Sequence, residues 1–598
     1  MLRALVDSAS AFPLTAEWYR NRKIRWVIDI SADARRGWLT AVEVEVAVPE
    51  PERSSDINPG LLVDKASYAI GLEDEGITHD SPRFKAFTSL LREYFRNTAD
   101  AAADLIIQFL NNFQNTPDDS RELRERLLHE ARPDDLIAFR TQHDAYPFSS
   151  HLAIAFWARH VQSARSSTRA ACCVCGQFGP IVSLIPQKVF IAGQSCKISS
   201  FNEDAFNSFG RKQTENSPLC FGCASQSSRV LQHLLASERH RRVLTGDESK
   251  GTGKAPLRNQ WAIFWLKEPL PSLDDGEPVD PEALIASPLN RPAIGAPPAA
   301  PEQMRKLYGL PFSSSERALH LDQNRFYVAV LSPNKSRLVL REWIEESVAR
   351  VLETLKAYDA ARTIRTADGL ADWRPDIPGM LDSLTPPKST SASSDANLVR
   401  SLLRTAYQGA PPPMKLLEAA VLRFRIQEKA KDKRDELEIG LRRQTLAAAI
   451  KFVLTYGKQE ANTLQSLDDS WKRGPYLCGR LLAVLEEAQL RASRWRVQAT
   501  LVDRFYGGAS TSPKNTLGIL VRQGTIAHMP KIRKIGAGYR DLEQTLESVM
   551  AAIDDEGGFP GALTLREQGE FALGFYHQRA GFSSARPSKE SFNQDKNK

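Results

Sequence analysis

Two pairs of cysteines carry the clearest chemical signal in this sequence. Cys172 and Cys175 form one C-x2-C pair, and Cys220 and Cys223 form a second pair after 44 intervening residues. Two intervening residues let both thiolates of a pair reach one ion, and two such pairs complete the tetrahedral four-sulfur coordination of Zn²⁺. We therefore predict one structural zinc ion at these four cysteines. Such a site has no open coordination position, so it stabilises a fold and does not catalyse.

The other cysteines leave one question open. Cys173 adjoins Cys172 and is an alternative zinc ligand. Cys196 is spare, and Cys478 falls in a predicted helix, where a core position suits a thiol. Neither C-x2-C pair opens a βαβ unit, which disfavours a redox role.

Motifs that would support catalysis are missing from the sequence. Gly251–Lys254 (GTGK) resembles the end of a phosphate-binding loop, but the upstream glycine is not at the required distance from Lys254. There is also no nucleophile elbow and no H-E-x-x-H motif. The sequence therefore predicts a protein that is not an enzyme.

A loop with the residue types of a nucleic-acid contact lies between the cysteine pairs. Residues 193–213 (GQSCKISSFNEDAFNSFGRKQ) mix small, aromatic, amide and basic side chains. Such a loop brings backbone close to phosphate while long polar side chains reach groove edges. The contacts predicted here are Gln194, Ser195, Asn202, Arg211, Lys212 and Gln213. The alternative is an ordinary insertion in a zinc ribbon.

A strongly basic segment follows later in the chain. Between Arg400 and Arg540, 26 Lys or Arg residues stand against 12 Asp or Glu residues, a net charge of +14, whereas the whole 598-residue chain carries only +7. This asymmetry indicates a polyanionic partner. Residues 504–514 (RFYGGASTSPK) offer charge, stacking and a bend at Gly507 and Gly508. The contacts predicted here are Arg473, Arg480, Arg504, Tyr506 and Lys514. The alternatives are a solvated basic surface and a simple helix–helix loop.

The elements that must position these residues change character along the chain. Arg25–Ile30, Leu39–Val48 and Trp261–Leu266 have strand-like composition, whereas helical spacing dominates from Leu398 onward. A helix is expected to start near Arg341. The predicted fold class is α+β: a mixed α/β N-terminal region with an inserted four-cysteine zinc ribbon, followed by an all-α C-terminal helical bundle.

Composition shifts predict five segments. They are a mixed α/β domain (1–170), a zinc-ribbon and DNA-contact region (171–268), a hairpin and helix region with flanking linkers (269–395), a basic helical bundle (396–582) and a disordered tail (583–598). Proline-rich or low-complexity linkers are expected at 269–301 and 375–397. No apolar run approaches the roughly 20 residues of a membrane helix, and Asp7 interrupts any leader, so we expect a cytoplasmic protein.

Six stretches of this sequence resemble the large subunit of the type I-C CRISPR surveillance complex, Cascade. They are MLRALVDSAS at the start, LVDKASYAIG (62–71), SFNEDAFNSFGRKQTENSP (200–218), YVAVLSPNKSRLVLREW (327–343), GRLLAVLEEAQ (479–489) and DRFYGGASTSP (503–513). They keep the family's order over roughly residues 1–510. The family does not always carry the second cysteine pair, so zinc rests on this sequence alone.

The resemblance implies a role in RNA-guided DNA binding. The family's large subunit joins backbone subunits that hold the CRISPR RNA, recognises a protospacer-adjacent motif on duplex DNA and promotes R-loop formation. It then holds the displaced strand and helps to recruit a helicase-nuclease. We expect Lys65 at a loop–helix junction, where a long cation reaches a groove, and add it and Tyr68 to the predicted nucleic-acid contacts. The alternative for Lys65 is a solvated surface lysine.

The family also implies a small subunit made from the same gene. Residues 471–586 are helical in pattern, but no methionine lies between Met414 and Met529. An internal start would therefore use Met414 or a non-AUG codon near 464–467. Two other functions remain open: a zinc-ribbon DNA-binding protein outside CRISPR, and a nuclease with an unrecognised site.

Overall fold

The computed structural model describes most of the chain. The described residues are 1–51, 53, 57–141, 146–182, 189–191, 193–199, 201, 203–245, 260–273, 279–290, 301–334, 336–385, 396–426, 428, 430–458, 464–536 and 538–585. Contacts divide the chain into two compact units: Met1–Ala236 with Pro333–Val339 (unit 1), and Ser237–Ser332 with Leu340–Lys598 (unit 2). The finer five-segment division stays a prediction.

Unit 1 combines short sheets with helices. Its strands are β1 (Tyr19–Ile30), β2 (Gly37–Pro49), β3 (Val63–Lys65), β4 (Leu72–Glu73), β5 (Gly76–Ile77), β6 (Leu136–Arg140), β7 (Ser166–Ala171), β8 (Phe178–Val182), β9 (Val189–Ile191) and β10 (Gln194–Cys196). Its helices are α1 (Leu2–Asp7), α2 (Ala66–Ala69), α3 (Pro82–Thr98), α4 (Ala101–Asn115), α5 (Arg121–Glu130), α6 (His151–Arg165) and α7 (Phe221–Ala236). The main sheet has the order β2-β1-β6-β3, so the two strands predicted near the N-terminus are confirmed.

Aromatic side chains join two helices to this sheet in the core of unit 1. The ring centroid of Phe139 on β6 lies 6.2 Å from that of Phe87 on α3 and 6.5 Å from that of Phe109 on α4. All three side chains are buried. Apolar residues at helical spacing in α3 and α4 place these rings on the faces that meet the sheet.

Unit 2 holds a second sheet and the C-terminal helices. Its strands are β11 (Arg241–Thr245), β12 (Gln260–Leu266), β13 (Arg325–Asn334), β14 (Arg337–Ser347), β15 (Ile364–Arg365) and β16 (Asp372–Trp373). Its helices are α8 (Pro281–Ile285), α9 (Pro301–Gly309), α10 (Ser315–Gln323), α11 (Val348–Arg362), α12 (Ile377–Leu384), α13 (Ala396–Gln408), α14 (Met414–Phe424), α15 (Lys433–Thr455), α16 (Gly474–Ala492), α17 (Leu501–Thr511), α18 (Pro513–Gln523), α19 (Met529–Ile535), α20 (Tyr539–Asp555) and α21 (Leu565–Ser584). The sheet has the order β11-β12-β13-β14. The mixed α+β class with a helical C-terminal region is therefore confirmed.

The β13–β14 hairpin corrects one sequence expectation. The helix expected near Arg341 is wrong, because β14 continues to Ser347 and α11 begins only at Val348. Glu342 and Ile344 are buried at alternate positions, the period of a strand. The Ser347 hydroxyl then caps α11 by accepting a hydrogen bond from the backbone N–H of Arg350.

Two predicted linkers contain ordered structure. Pro281–Ile285 forms α8 within the first linker, and Ile377–Leu384 forms α12 within the second. Both helices bury apolar side chains, such as Ile285 and Ile377. The proline-rich or low-complexity composition around them predicted linkers and gave no sign of these helices. The predicted tail begins inside α21, and residues 586–598 lie outside the described part of the chain.

Helices α16 and α21 pack so closely that their backbones meet. A Cβ atom added at Gly479 of α16 would collide with the backbone of Phe571 and Phe575. A Cβ atom added at Gly574 of α21 would collide with the backbone of Tyr476. Only glycine fits at such a crossing. Within the described residues, no helix is both long and apolar enough to cross a membrane.

Candidate metal centre and nucleic-acid interface

The four cysteines predicted as ligands lie together in unit 1. The sulfur atoms of Cys172, Cys175, Cys220 and Cys223 all lie within 4.8 Å of one another. The Sγ atoms of Cys175 and Cys220 are 3.8 Å apart. Ideal tetrahedral coordination with metal–sulfur bonds of about 2.3 Å places the sulfurs about 3.8 Å apart, so the cluster fits one metal ion.

Local structure explains how the chain brings these cysteines together. The first pair sits in the turn between β7 and β8, where Gly176 adopts the left-handed conformation at φ 78° and donates a backbone hydrogen bond to Cys172 O. The second pair lies at the start of α7, and Cys220 bridges to Ile181 next to β8's end. Strand pairing and a helix start therefore hold the two pairs side by side.

The thiol electrostatics already favour one thiolate. Burial alone would raise the pKa of Cys172, but hydrogen bonds from the backbone N–H groups of Cys175 and Cys220 lower it to about 6. Burial raises the pKa of Cys220 and of Cys223. A bound divalent cation supplies the positive charge that deprotonates the remaining thiols.

The remaining cysteines lie outside this cluster. Cys173 is exposed, with its Sγ 3.9 Å from the Ser217 hydroxyl, so the cluster takes Cys172 and not its neighbour. Cys196 is buried in β10, and Cys478 is buried in α16 as expected.

The loop before the second cysteine pair presents three of the predicted contacts to solvent. Arg211, Lys212 and Gln213 are all exposed. Asn202 lies outside the described residues. Thr214 anchors the loop, because its buried hydroxyl donates a 2.5 Å hydrogen bond to Val182 O.

Phe209, at the tip of this loop, is a residue that sequence reasoning missed. Its side chain is 97% exposed. The backbone N–H of Arg211 donates to Ser208 O, and the two central residues of this tight turn, Phe209 and Gly210, have φ values of 52° and 73°. Such turns favour Asn or Gly at both central positions. The signal available in the sequence was a phenylalanine directly before a Gly-Arg-Lys turn.

Lys65 and Tyr68 lie where a strand meets a helix. Lys65 ends β3 and directly precedes α2, and its Nζ is 2.6 Å from Asp134 Oδ1. Tyr68 is buried beneath the Arg53 guanidinium, which lies 4.1 Å from the ring centroid. Lys65 is partly exposed and already paired with a carboxylate, so its contact with DNA stays a prediction, whereas Tyr68 supports the fold.

Gln194 and Ser195 lie on β10, paired antiparallel with β9. Both side chains are partly buried. The Ser195 hydroxyl is sealed from solvent without a hydrogen-bond partner and lines a cavity shared with Lys65. Gln194 is not among the residues that line this cavity, and the DNA contacts predicted for Gln194, Ser195 and Lys65 stay predictions.

The predicted contacts of the C-terminal region separate into two groups. Arg504 and Lys514 are exposed, and Arg473 is half exposed with its Nε 3.2 Å from Glu570 Oε2. Arg480 is buried and donates to Gln578 and Asp469. Tyr506 is also buried.

Tyr506 is a core residue and offers no stacking surface. Its ring packs against Phe424, Phe571 and Phe575, with centroids 5.4 to 6.0 Å apart. The bend expected at Gly507 and Gly508 is also wrong, because α17 runs on to Thr511.

The exposed positive charge concentrates on the segment from Arg494 to Arg540. This segment contains nine Lys or Arg residues and a single acidic residue, Asp503. All nine are exposed, and within the described residues none forms an ion pair: Arg494, Arg496, Arg504, Lys514, Arg522, Lys531, Arg533, Lys534 and Arg540. We call these nine side chains the basic helical surface. Unpaired exposed cations at this density attract phosphate.

Comparison with known proteins assigns the chain to a family. Residues 3–583 match the family model described as CRISPR-associated protein (Cas_Csd1). A search of the curated proteins gave no significant match. Since the match spans nearly the whole sequence and both units, the chain belongs to the Cas_Csd1 family of CRISPR-associated proteins.

Proposed function

We propose that this protein is the large subunit of a type I-C CRISPR RNA-guided surveillance complex. In this role it recognises a protospacer-adjacent motif on duplex DNA, promotes R-loop formation, holds the displaced strand and helps to recruit a helicase-nuclease. The family membership supports a Cascade-type large subunit with other CRISPR-associated subunits and CRISPR RNA as partners. We further propose that it acts in the cytoplasm and has no catalytic activity of its own.

The exposed Phe209 is the observation that carries this proposal. Leaving a phenylalanine in water forgoes about 1.5–3 kcal/mol of burial, and a left-handed backbone at a non-glycine residue costs roughly 1–3 kcal/mol more. A ring held out in this way, followed by Arg211 and Lys212, suits insertion between base pairs while the cations contact phosphate. We propose that this loop opens the duplex next to the motif, with Lys65, Gln194 and Ser195 nearby.

Zinc is the metal we propose for the four-cysteine cluster. Four thiolates in tetrahedral geometry select zinc among the abundant divalent ions. When bound, zinc supplies a rigid crosslink between the β7–β8 turn and α7. The loop that carries Phe209 (the Phe209 loop) leads directly into the second cysteine pair, so a bound metal limits the movement of Phe209 at its tip.

The basic helical surface is proposed as the path of the displaced strand. It lies on α17, α18, α19 and the segments beside them, in the part of the chain that the family also makes as a separate small subunit. Gly569 of α21 packs against Leu417 of α14 and Ile450 of α15. A product beginning at Met414 keeps α14 and α15 and therefore this packing. A product beginning near residue 464 lacks both helices and exposes the face of α21 that they cover, so we favour Met414 as the internal start.

Replacement of Phe209 by alanine tests the proposed role in duplex opening. The assembled complex should bind a matched duplex at least roughly tenfold more weakly, but a target already opened as a bubble with unchanged affinity. Phe312→Ala is a matched control, because that phenylalanine is 84% exposed and has no adjacent cation. Equal losses on duplex and bubble for Phe209→Ala would contradict the proposal.

A further inference from the structure

A cavity of about 680 Å³ in unit 1 is lined by several Lys and Arg side chains. The lining comes from β1, β2, β3, β6, β9, β10, α7 and the segments beside them, and its five Lys or Arg residues are Arg20, Arg22, Arg53, Lys65 and Arg229. Glu45, Glu50 and Asp64 also line it, so the walls carry a net positive charge. The volume exceeds that of a simple inorganic anion and falls in the range of small-molecule sites.

Four of the five cations already have carboxylate partners. Arg20 and Arg22 approach Glu50 at 3.7 Å and 3.4 Å, and Lys65 reaches Asp134 at 2.6 Å. Arg53 is bonded to Asp64. These ion pairs balance the charges of four cations in the cavity walls, and Arg229 is the fifth.

Arg229 has no such partner within the described residues. Its Nε is sealed from solvent without a hydrogen bond, and no carboxylate lies within ion-pair distance. Burial lowers the pKa of Arg229, and the attraction of Glu17 opposes this only in part. Arg229 is partly exposed, but its sealed Nε–H has lost water without gaining an acceptor, and an anion in the cavity would give the guanidinium the charged partner that it lacks.

Two further hydrogen-bonding groups line the same cavity. The Ser195 hydroxyl is sealed from solvent and unbonded. The Gln232 side chain accepts a 2.8 Å hydrogen bond from Phe190 N through Oε1, which leaves its amide NH₂ as a donor. Arg229, Ser195 and Gln232 together supply the kinds of donor that bind phosphate oxygens.

The cavity also offers a flat surface. The Arg20 guanidinium lies 3.7 Å from the centroid of the Phe190 ring, and both residues line the cavity. Nucleobases stack on aromatic rings and on arginine planes, which carboxylate or sugar ligands do not require.

We propose that this cavity binds one unpaired nucleotide, with its phosphate at Arg229, Ser195 and Gln232 and its base against the Arg20–Phe190 pair. The inference rests on the proposed nucleic-acid function but specifies a single-strand site, distinct from the duplex contact assigned to the Phe209 loop. It assigns a nucleotide phosphate as the ligand of Arg229, a residue that was not among the contacts predicted from the sequence.

The test uses the full-length chain and a short single strand with one 2-aminopurine base, in DNA and RNA versions. Wild-type protein should bind and change the 2-aminopurine emission, and Arg229→Met should weaken binding roughly tenfold or more. Arg159→Met is the matched control, since Arg159 is an exposed arginine of unit 1 outside the cavity lining and should behave as wild type. Free AMP as competitor distinguishes a strand from a free nucleotide as the source of the ligand.

Two outcomes would overturn the assignment. One is wild-type affinity and emission in Arg229→Met, and the other is competition by inorganic phosphate as effective as that by AMP. The melting temperature of Arg229→Met should equal or exceed that of wild type, because the guanidinium has no partner to lose. Should this variant fail to fold, Ser195→Ala carries the same binding test. If the assembled complex recognises duplex DNA normally but the chain fails this single-strand binding test, the nucleotide site is refuted and the proposed function stands.

Discussion

Single buried groups decide which side chains stabilise this fold and which remain available to partners. Arg480 and Arg504 are both arginines of the basic segment, yet Arg480 is buried and donates hydrogen bonds to Gln578 and Asp469, while Arg504 is exposed to solvent. The same distinction separates Tyr506, packed among phenylalanines, from the exposed Phe209. Burial therefore assigns residues of the same type to different roles.

Removal of one cysteine ligand should cost metal and stability together. Cys220→Ser takes one thiolate from a cluster whose sulfurs lie within 4.8 Å of one another. Structural zinc contributes up to about 10–16 kcal/mol, so partial loss should lower the melting temperature and release the metal. Elemental analysis of wild type and variant checks this, with Cys173→Ser as the control that keeps about one zinc per chain. Well-folded wild-type protein without zinc would refute the assignment.

Lys451 should make the stability of unit 2 depend on pH. It is fully buried on α15, its Nζ donates to Ala360 O and Ala361 O at the end of α11, and burial lowers its pKa to about 7. Between that value and the ordinary lysine pKa of 10.5 the unfolded chain binds more protons than the native one. The free energy of unfolding should therefore rise with pH, by up to about 3 kcal/mol from pH 7 to about pH 9.5.

Denaturant titrations at several pH values measure this slope. Lys451→Met should remove much of it, whereas Lys458→Met, at an exposed position nearby in the sequence, should keep it. Identical slopes in wild type and Lys451→Met would show that Lys451 stays charged in the native state.

At the scale of elements, the crossing of α16 and α21 is the most sensitive contact. Gly479→Ala drives a methyl group into the backbone of α21 and should destabilise the protein by about 1–3 kcal/mol or more. Gly507→Ala on α17 meets no atom within 4 Å, so it should stabilise the protein by up to about 1 kcal/mol. Thermal unfolding of the two variants should move in opposite directions. A neutral Gly479→Ala would mean that the helices are further apart.

The basic helical surface should govern the salt dependence of DNA binding. Charge reversal at Arg504 and Lys514 removes two exposed cations, so the slope of log affinity against log salt should become shallower by about 1–2. The loss should be similar for every DNA sequence, because phosphate contacts carry no sequence information. Lys356→Glu on α11, also exposed, is the control. An unchanged slope in the double variant would place the strand elsewhere.

Much of the element structure could be predicted from local pattern. Strands near the N-terminus and the strand at Trp261–Leu266 follow from side-chain periodicity. Spacing also identified the four cysteines, because C-x2-C geometry is local. Tyr506 shows the limit: its helical spacing with Val502 and Ala509 marked the buried face, yet its neighbours in sequence suggested an exposed loop.

Residues whose roles depend on distant neighbours could not be predicted. Arg480 gives no local sign that Gln578, far along the chain, will bury it. The cavity around Arg229 is likewise built from strands and a helix that lie far apart in the sequence, from Tyr19 to Ala236, and the unpaired charge of Arg229 becomes visible only in the fold. Tertiary contacts of this kind have no period in the sequence.

At the scale of the whole molecule, the chain divides into two compact units that carry different features. Unit 1 carries the cysteine cluster, the Phe209 loop and the cavity, and unit 2 carries the basic helical surface. Family membership places both in a CRISPR-associated context. The division predicts that duplex recognition depends on unit 1 and that sequence-independent retention of a strand depends on unit 2.

The most direct test is motif selection by the complex with and without this chain. Complexes carrying CRISPR RNA are offered matched targets with randomised flanking base pairs, and bound DNA is sequenced. The complete complex should enrich one short flanking motif on duplex targets and lose that preference on bubbled targets, while the complex lacking this chain should bind duplex weakly and enrich nothing. The same motif and affinity without the chain would contradict the proposal that this protein reads and opens target DNA.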